Sequence, residues 1–143
     1  MAYDTSNVFA KILRGELPAH KIHEDAHTLA FMDIMPRSEG HALVIPQAPV
    51  RNMLDASPAD LAACIATVQL IGRAQLVAFK AAGITVQQAN EQAGGQVVFH
   101  LHFHVMPRFE ATRLGSPASG MEKGEVLAAN AEKLRQALVV LAG

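Results

Sequence analysis

Apolar residues recur along this chain at two spacings, one typical of amphipathic helices and the other of strands. The longest helical stretch opens with Ser57 and Pro58, a capping residue followed by a proline at the first helical position. Gly83 is expected to close this helix. A short helix is predicted before Gly15, and another follows a loop rich in glycine, serine and proline. The predicted helices are 7–14, 57–82 and 126–141.

Shorter apolar runs bounded by turn residues predict five strands. They are 21–24, 28–33, 41–45, 84–90 and 97–106, with the last ending at Pro107. The first two are expected to form a hairpin. This order of elements favours an α+β fold, with one mainly antiparallel sheet and the long helix across it. A chain of 143 residues is expected to form a single domain, 1–143, with a core of about 5–110 and a C-terminal loop and helix at 111–143.

Composition narrows the classes of partner. Half of the residues are hydrophobic and the formal net charge is -1, so neither DNA nor RNA is an expected partner. Cys64 is the only cysteine, which fits a reducing compartment. The N-terminal residues lack the pattern of a signal peptide, and no stretch approaches 18 uninterrupted apolar residues. We therefore expect a cytoplasmic protein with no membrane partner.

Three histidines stand at alternate positions, 100, 102 and 104, in the last predicted strand. Successive side chains of a strand point to opposite faces, so these histidines are expected to share one face. The alternation predicts a row of imidazoles about 6.5 to 7 Å apart on a rigid floor. The opposite face is apolar and suited to burial, and it carries Phe99, Leu101, Phe103 and Val105.

Two kinds of chemistry suit such a row, and a solvated face without function is the alternative to both. Two histidines two residues apart on a strand can bind one zinc ion, but the chain has no cysteine cluster and no His-Glu-x-x-His helix. The first and third histidines of a strand lie about 13 Å apart. A metal site would therefore need a distorted strand or distant ligands, and we expect no metal and no other cofactor.

Covalent catalysis at phosphorus is the other candidate, with one imidazole as the nucleophile. Crowding several histidines together disfavours charging all of them, which keeps an attacking nitrogen neutral. If the central ring, His102, donates its Nδ1–H to a backbone carbonyl, its Nε2 lone pair is left facing a substrate. His100 and His104 would then hold it, contact phosphate oxygens or share protons with the leaving group. The glycine-bearing turn at 93–96 offers backbone N–H groups to a phosphate.

The histidine row resembles the signature of the histidine triad (HIT) family of nucleotide hydrolases and transferases. In that signature three histidines alternate with apolar residues and two further apolar residues follow, as in His-Leu-His-Phe-His-Val-Met at 100–106. The resemblance runs from about 7 to 108, through the segments 8–12, 15–19, 29–34, 40–46 and 95–96. It implies a HIT-like fold, in which a five-stranded sheet carries a long helix and a short N-terminal helix, here with a C-terminal helical extension.

The resemblance also implies an activity, namely hydrolysis or transfer at the α-phosphorus of nucleoside monophosphate conjugates such as adenosine phosphoramidates. It implies that His102 forms a nucleotidyl-histidine intermediate, that His100 and His104 flank it, and that His41 supports the triad. Asp33 resembles the acid that binds the ribose hydroxyls. The other implied nucleotide-binding residues are Val8, Phe9, Ile12, Phe31, Ile34 and Leu43 around the base, and Asn90, Gly95, Gln96 and Val97 near ribose and phosphate.

Departures from the family pattern bear on metal and substrate. Some relatives bind structural zinc at positions that correspond to Asn7, Ala10, Pro49 and His100, and the first three carry no zinc ligand here. The resemblance therefore implies no metal site. Val97 stands where several relatives carry a serine that touches phosphate, so its backbone amide remains and a hydroxyl contact is lost.

Several alternatives stay open at this point. From the residues alone, Asp33 and His41 suit a turn as well as a site, and Asn90 suits either. A purine nucleotide-binding regulatory module, a dinucleoside polyphosphate hydrolase and a metal-dependent hydrolase are the competing functions. The resemblance further implies a purine nucleotide substrate and a homodimer whose sheets join edge to edge, with the long helices packed across the interface.

Overall fold

Five strands form one sheet in this computed structural model, which describes residues 2–118 and 120–143. They are β1 (Lys21–Glu24), β2 (Thr28–Met32), β3 (Ala42–Pro46), β4 (Gly83–Gln87) and β5 (Phe103–Arg108). Their order in the sheet is β1-β2-β3-β5-β4, and all four pairings are antiparallel. The predicted α+β fold with an antiparallel five-stranded sheet is confirmed. Because β5 inserts between β3 and β4, the last triad histidine lies in the interior of the sheet.

Three helices accompany the sheet, and capping residues start the first two. The helix α1 (Val8–Leu13) begins after Asn7, whose side chain accepts a hydrogen bond from the Ala10 N–H at 2.9 Å. The helix α2 (Pro58–Phe79) begins after Ser57, whose hydroxyl accepts from the Asp60 N–H at 3.1 Å, as the Ser-Pro pair predicts. The helix α3 (Gly124–Ala142) ends the chain, and a single 3₁₀ turn covers Gln92–Gly94.

Different elements cover the two faces of the sheet. Alternate residues of β2 and β3 face α2 and α3 on one side and α1 on the other. The cluster under α2 and α3 includes Leu101, Phe103 and Val105, so the predicted burial of that apolar face is confirmed for these three residues. The smaller cluster under α1 consists of Phe9, Leu29, Phe31, Leu43 and Ile45, with Ile12, Leu13, Ala19 and Val98 at its margin.

The helix α2 is apolar on more than its buried face. By length and composition alone it is long enough to span a membrane, with a mean hydropathy of 1.5 over 18 residues, of which 39% are buried in the fold. Its buried face packs against β3, β5 and α3. Ile65 and Leu76 are 51% and 43% exposed, and they share the outward face with Ala62 and Ala66. A broad apolar surface therefore stays uncovered in the single chain.

The predicted boundaries of the last strand are wrong at both ends. The strand β5 begins at Phe103 instead of 97, because the chain bends at 98–100 and the pairing with β3 stops at Val44 and Phe103. The Leu101 N–H donates instead to the carbonyl of Val50 in a loop, at 3.0 Å. At the other end β5 continues through Pro107, which pairs with Ile84. Only one of the three triad histidines therefore lies in a strand.

The predicted end of the long helix is also wrong. The helix α2 ends at Phe79, and Lys80 takes the left-handed conformation that glycine usually supplies at this position, with φ 53° and ψ 38°. Gly83 pairs with Arg108 as the first residue of β4. That strand ends at Gln87 instead of Asn90, because its last pair is Gln87 with His104, next to the first residue of β5. Beyond it, Gln88 and Asn90 bond to each other through their side chains.

Replacing Gly40 by alanine is expected to lower the free energy of unfolding by about 2 to 5 kcal/mol. Gly40 has φ +84°, and a Cβ atom there would overlap the ring of Phe79 on α2. Gly15→Ala is the matched control, because Gly15 has φ +78° but nothing lies within 4 Å of its added Cβ. The control is expected to lose only about 1 to 2 kcal/mol through backbone strain. Urea unfolding measures both variants, and equal losses would contradict a steric effect of Phe79.

Candidate active site

His100 is fully buried and bonded at both ring nitrogens. Its Nε2 lies 3.0 Å from the carbonyl oxygen of Pro46, and its Nδ1 lies 2.5 Å from the hydroxyl of Tyr3. Because a carbonyl only accepts, Nε2 carries the proton, and Nδ1 accepts from Tyr3. Burial lowers the pKa of His100 to about 4, so the ring is neutral at neutral pH.

His102 offers one free ring nitrogen. Its Nδ1 lies 2.7 Å from the carbonyl oxygen of His100, so Nδ1 is the donor and Nε2 keeps its lone pair. The ring packs edge to face on Phe9 of α1, with 5.0 Å between the ring centres, and burial lowers its pKa. A nucleophilic imidazole needs this arrangement, in which Nδ1 is the donor to a backbone carbonyl and Nε2 carries the lone pair.

The third triad histidine is the end of a hydrogen-bonded chain. The Arg37 N–H donates to Nδ1 of His41 at 3.0 Å, which leaves the proton of His41 on Nε2. That Nε2–H donates to Nδ1 of His104 at 3.0 Å, so His104 carries its own proton on Nε2. Burial lowers the pKa of His41 to about 3 and that of His104 to about 4, and the positive charge of Arg37 acts in the same direction on both rings. One backbone amide thus sets the tautomers of two neutral imidazoles.

Asp33 directs one carboxylate oxygen at this chain. Its Oδ1 accepts from the Met35 N–H at 2.8 Å, which holds the side chain in a turn just after β2. Its Oδ2 lies 3.4 Å from Nε2 of His41 and 3.7 Å from Nδ1 of His104. Burial raises the pKa of Asp33 above its ordinary value. The sequence left two roles open for Asp33, one in a turn and one in the site. In the structure Asp33 lies in a turn and also faces the histidines.

The residues at the family's structural zinc positions do not fit a zinc ion. Asn7 uses its side chain to cap α1 and to donate to the carbonyl of Asp4 at 2.8 Å. Ala10 and Pro49 have no side-chain ligand atom, and both nitrogens of His100 are bonded within the chain. These four positions therefore do not form a zinc site in this chain.

Asp33, His41 and His104 form the one group of metal-ligand type found in the described part of the chain, with ligand atoms within 4.8 Å of one another. A metal at this point would need the lone pair of His41 on Nε2. The Arg37 amide holds that lone pair on Nδ1 instead. The geometry consequently favours a hydrogen-bonded relay over a metal centre.

The turn that precedes the triad is fastened by Gln96, which is 3% exposed. Its Oε1 accepts from Nδ2 of Asn52 at 3.0 Å and from the Glu91 N–H at 2.8 Å. Its Nε2 donates to the carbonyls of Arg51 and Val98, at 2.7 and 3.0 Å. Both the oxygen and the nitrogen of the Gln96 side-chain amide are therefore hydrogen-bonded within the protein. A contact from Gln96 to a nucleotide stays a prediction.

The other residues predicted near ribose and phosphate lie on the same loop. Asn90 Oδ1 accepts from the Met53 N–H and from Nε2 of Gln88, each at 2.8 Å. Gly95 has φ +98°, a conformation that favours glycine at this point of the turn. Val97 is 83% exposed. Their roles toward a ligand also stay predictions.

Four of the residues predicted around the base lie together beside the triad. Phe9, Phe31 and Leu43 form one cluster with Ile12 at its margin, beside the ring of His102. Val8 and Ile34 are each 45% exposed. A contact of any of these six residues with a base stays a prediction.

Several residues of the site escaped the sequence analysis. Arg51 forms a bidentate ion pair with Glu91, at 2.7 and 3.0 Å, and lies over the ring of Phe99. Tyr3 bonds to His100 across 97 positions of sequence, and Arg37 acts on His41 through its backbone. No motif or spacing indicates such contacts, because they depend on the folded geometry.

Comparison with known proteins identifies relatives of this arrangement. Residues 14–111 match the HIT domain family. A Hit-like protein involved in cell-cycle regulation from Bartonella henselae has a crystal structure with a TM-score of 0.92 and 47% identity, and the match covers 96% of this chain and 99% of that one.

Two relatives have named activities. The adenosine 5'-monophosphoramidase HNT1 of Candida albicans is 36% identical over 120 residues, which cover 80% of this chain and 79% of that protein. The adenylylsulfatase HINT3 of Arabidopsis thaliana is 39% identical over 103 residues, which cover 72% of this chain. The match to the adenylylsulfatase spans 52% of its length, or about half of that protein.

The free energy of unfolding is expected to fall as the pH is lowered from about 6.5 toward 4. The ordinary pKa of histidine is 6.5, whereas in the folded protein the pKa is about 4 for His100 and His104 and about 3 for His41. Between these values the unfolded chain binds more protons, so stability is complete above the unfolded pKa and is lost as the pH falls through the folded values. Thermal unfolding at about pH 7.5 and about pH 5 measures the loss.

His41→Gln is the matched variant for this experiment, because its amide keeps a donor near the position of Nε2 but does not titrate. Its acid-induced loss is expected to be smaller than that of the wild type by about 2 kcal/mol. Asp33, whose contribution has the opposite sign, is present in both proteins and largely cancels. Equal losses would show that His41 is charged in the folded state.

Proposed function

The chain belongs to the HIT domain family, and we propose that it hydrolyses or transfers nucleoside monophosphate groups from conjugates such as adenosine phosphoramidates, by attack at the α-phosphorus. Relatives that act on adenine nucleotide conjugates support nucleotide hydrolysis in general. The observation that carries the proposal is the free Nε2 lone pair of His102, fixed by the hydrogen bond from Nδ1 to the His100 carbonyl.

In the first step Nε2 of His102 forms a bond to the α-phosphorus, and the bond from phosphorus to the leaving group breaks. The leaving group keeps the electron pair and takes a proton from solvent, while the Nε2–H of the neutral His104 donates a hydrogen bond to it. This step gives a nucleotidyl-histidine intermediate on His102.

In the second step water attacks the phosphorus and the bond from Nε2 of His102 to phosphorus breaks. The attacking water loses its proton to solvent, and both histidines end in their starting state. His41 keeps Nδ1 of His104 occupied throughout, which leaves the Nε2–H of His104 to donate a hydrogen bond to the substrate. Phe9 and Phe31 supply an apolar surface beside His102 on which a purine base can rest.

The proposal includes a homodimer built on α2 and the edge strand β4. An edge strand presents N–H and C=O groups to a second strand, and β4 lies at one edge of the sheet. Ile84 and Val86 of this strand are 37% and 42% exposed. The outward face of α2 adds Ile65 and Leu76, so helix and strand offer apolar area together. A second copy of the chain would cover both.

Light scattering after size exclusion is expected to give a dimer for the wild type and a monomer for Ile65→Lys. The lysine would place a charge in the apolar contact without touching the buried face of α2. Val139→Lys is the matched control, because Val139 is 73% exposed on α3, away from the proposed interface, and this variant should stay dimeric. A monomeric wild type, or two dimeric variants, would contradict the proposed interface.

Replacing the nucleophile is expected to stop turnover. His102→Ala should lower kcat/KM for release of AMP from an adenosine phosphoramidate by at least about 10⁴-fold, and His104→Ala by about 10² to 10⁴-fold. His27→Ala is the control, because His27 is exposed outside the site, and its activity should equal that of the wild type.

Trapping identifies the intermediate directly. The wild type is incubated with labelled substrate, quenched in alkaline denaturant and digested, and the nucleotidylated histidine is mapped by mass spectrometry. Label on His102 is expected. Label on another residue would show that the other residue, and not His102, is the nucleophile. Tight nucleotide binding without AMP release would favour a regulatory module, whereas zinc in stoichiometric amount with activity lost to a chelator would favour a metal-dependent hydrolase. A strong preference for dinucleoside polyphosphates over phosphoramidates would favour a dinucleoside polyphosphate hydrolase.

A further inference from the structure

The segment 97–102 carries the first two triad histidines and lies outside the strand ladder. Its position therefore depends on packing and on hydrogen bonds other than those of a strand ladder. The backbone contact is the hydrogen bond from the Leu101 N–H to the carbonyl of Val50. The side-chain contacts are those of Gln96 at the start of the segment and of His100 in its middle. The carbonyl that orients the nucleophile belongs to His100, so the anchoring of this residue matters to His102.

The ring of His100 is held from two directions. Pro46, at the end of β3, accepts from Nε2, and Tyr3, in the N-terminal segment, donates to Nδ1 at 2.5 Å. The Tyr3 and His100 rings also pack edge to face, with 5.6 Å between their centres. Burial raises the pKa of the Tyr3 hydroxyl, so it stays protonated at neutral pH. With both nitrogens bonded, the ring has one tautomer and one orientation.

We propose that Tyr3 is a positioning residue for the nucleophile, because its hydroxyl fixes the ring of His100 and, through the His100 carbonyl, the Nδ1–H of His102. The inference rests on the proposed function and extends it to a residue outside the matched region 14–111. Both links are hydrogen bonds, with 2.5 Å from the Tyr3 hydroxyl to Nδ1 of His100 and 2.7 Å from the His100 carbonyl to Nδ1 of His102. The N-terminal segment also reaches His102 directly through Phe9 of α1.

A structural role of the Tyr3 ring is the competing account, and two variants separate the accounts. Tyr3→Phe keeps the ring and removes the hydroxyl, whereas Tyr3→Ala removes both. If the hydrogen bond positions His100, Tyr3→Phe should lower kcat by about 3- to 10-fold with KM within about twofold, because one hydrogen bond is lost and no substrate contact changes. If only packing matters, Tyr3→Phe should match the wild type and Tyr3→Ala alone should be impaired, which would overturn the proposal.

Nitrogen-15 spectra of the imidazoles give a readout that does not need turnover. In the wild type we expect the proton on Nε2 for His100 and on Nδ1 for His102. In Tyr3→Phe the Nδ1 signal of His100 should move toward the value of an unbonded acceptor, and the His102 signals should broaden or split. Ser6→Ala is the control, because Ser6 is exposed and bonds only to Asp4 among the described residues, and its spectrum should match the wild type.

The two measurements keep the proposals apart. A wild-type His100 with its proton on Nδ1 would overturn the role of Tyr3, whatever the activity. Absence of AMP release from the wild type would remove the proposed function, while the imidazole spectra would still decide whether Tyr3 fixes His100 and His102.

Discussion

The site depends on keeping four imidazoles uncharged and singly oriented inside the protein. Burial removes the water that would stabilise a charged ring, so each ring is neutral and has one N–H and one lone pair. Main-chain groups then decide which nitrogen carries the proton, namely the carbonyls of Pro46 and His100 and the N–H of Arg37. The path of the backbone therefore sets the chemistry of the rings. A displacement of the backbone at Arg37 or at His100 would change the direction in which the lone pair of a neighbouring ring points.

Local signals predicted the parts of the fold that depend on neighbours in sequence. The predicted cap at Ser57 starts α2, because its hydroxyl accepts from the N–H of Asp60 three residues later. The alternation around His102 predicted a buried apolar face, and Leu101, Phe103 and Val105 do occupy it. The predicted strand was too long, because the chain bends at 98–100 and its pairing with β3 begins only at Phe103.

Contacts between distant segments account for what the sequence did not predict. Gln96 suits a ligand contact by resemblance, yet Asn52 and Arg51, more than forty positions away, use its amide. Tyr3 stands in a segment with no motif, and its partner is 97 positions away. In addition, α2 reaches the far side of the site, because Nε2 of Gln75 donates to the carbonyls of Gly40 and Val105 at 3.0 and 2.8 Å. The helix proposed for the dimer interface thus supports the turn that carries Arg37.

Arg37 makes one set of contacts through its backbone N–H and another through its guanidinium. Its N–H acts on His41, and every amino acid except proline supplies that group. Its guanidinium is left for another purpose, and it donates to the carbonyl of Gly115 at 2.9 Å and to Oε1 of Gln87 at 2.8 Å. Another side chain at this position would therefore remove the contacts to Gly115 and Gln87, whereas the backbone bond from the Gly115 N–H to the Arg37 carbonyl and the tautomers of the two histidines would stay the same.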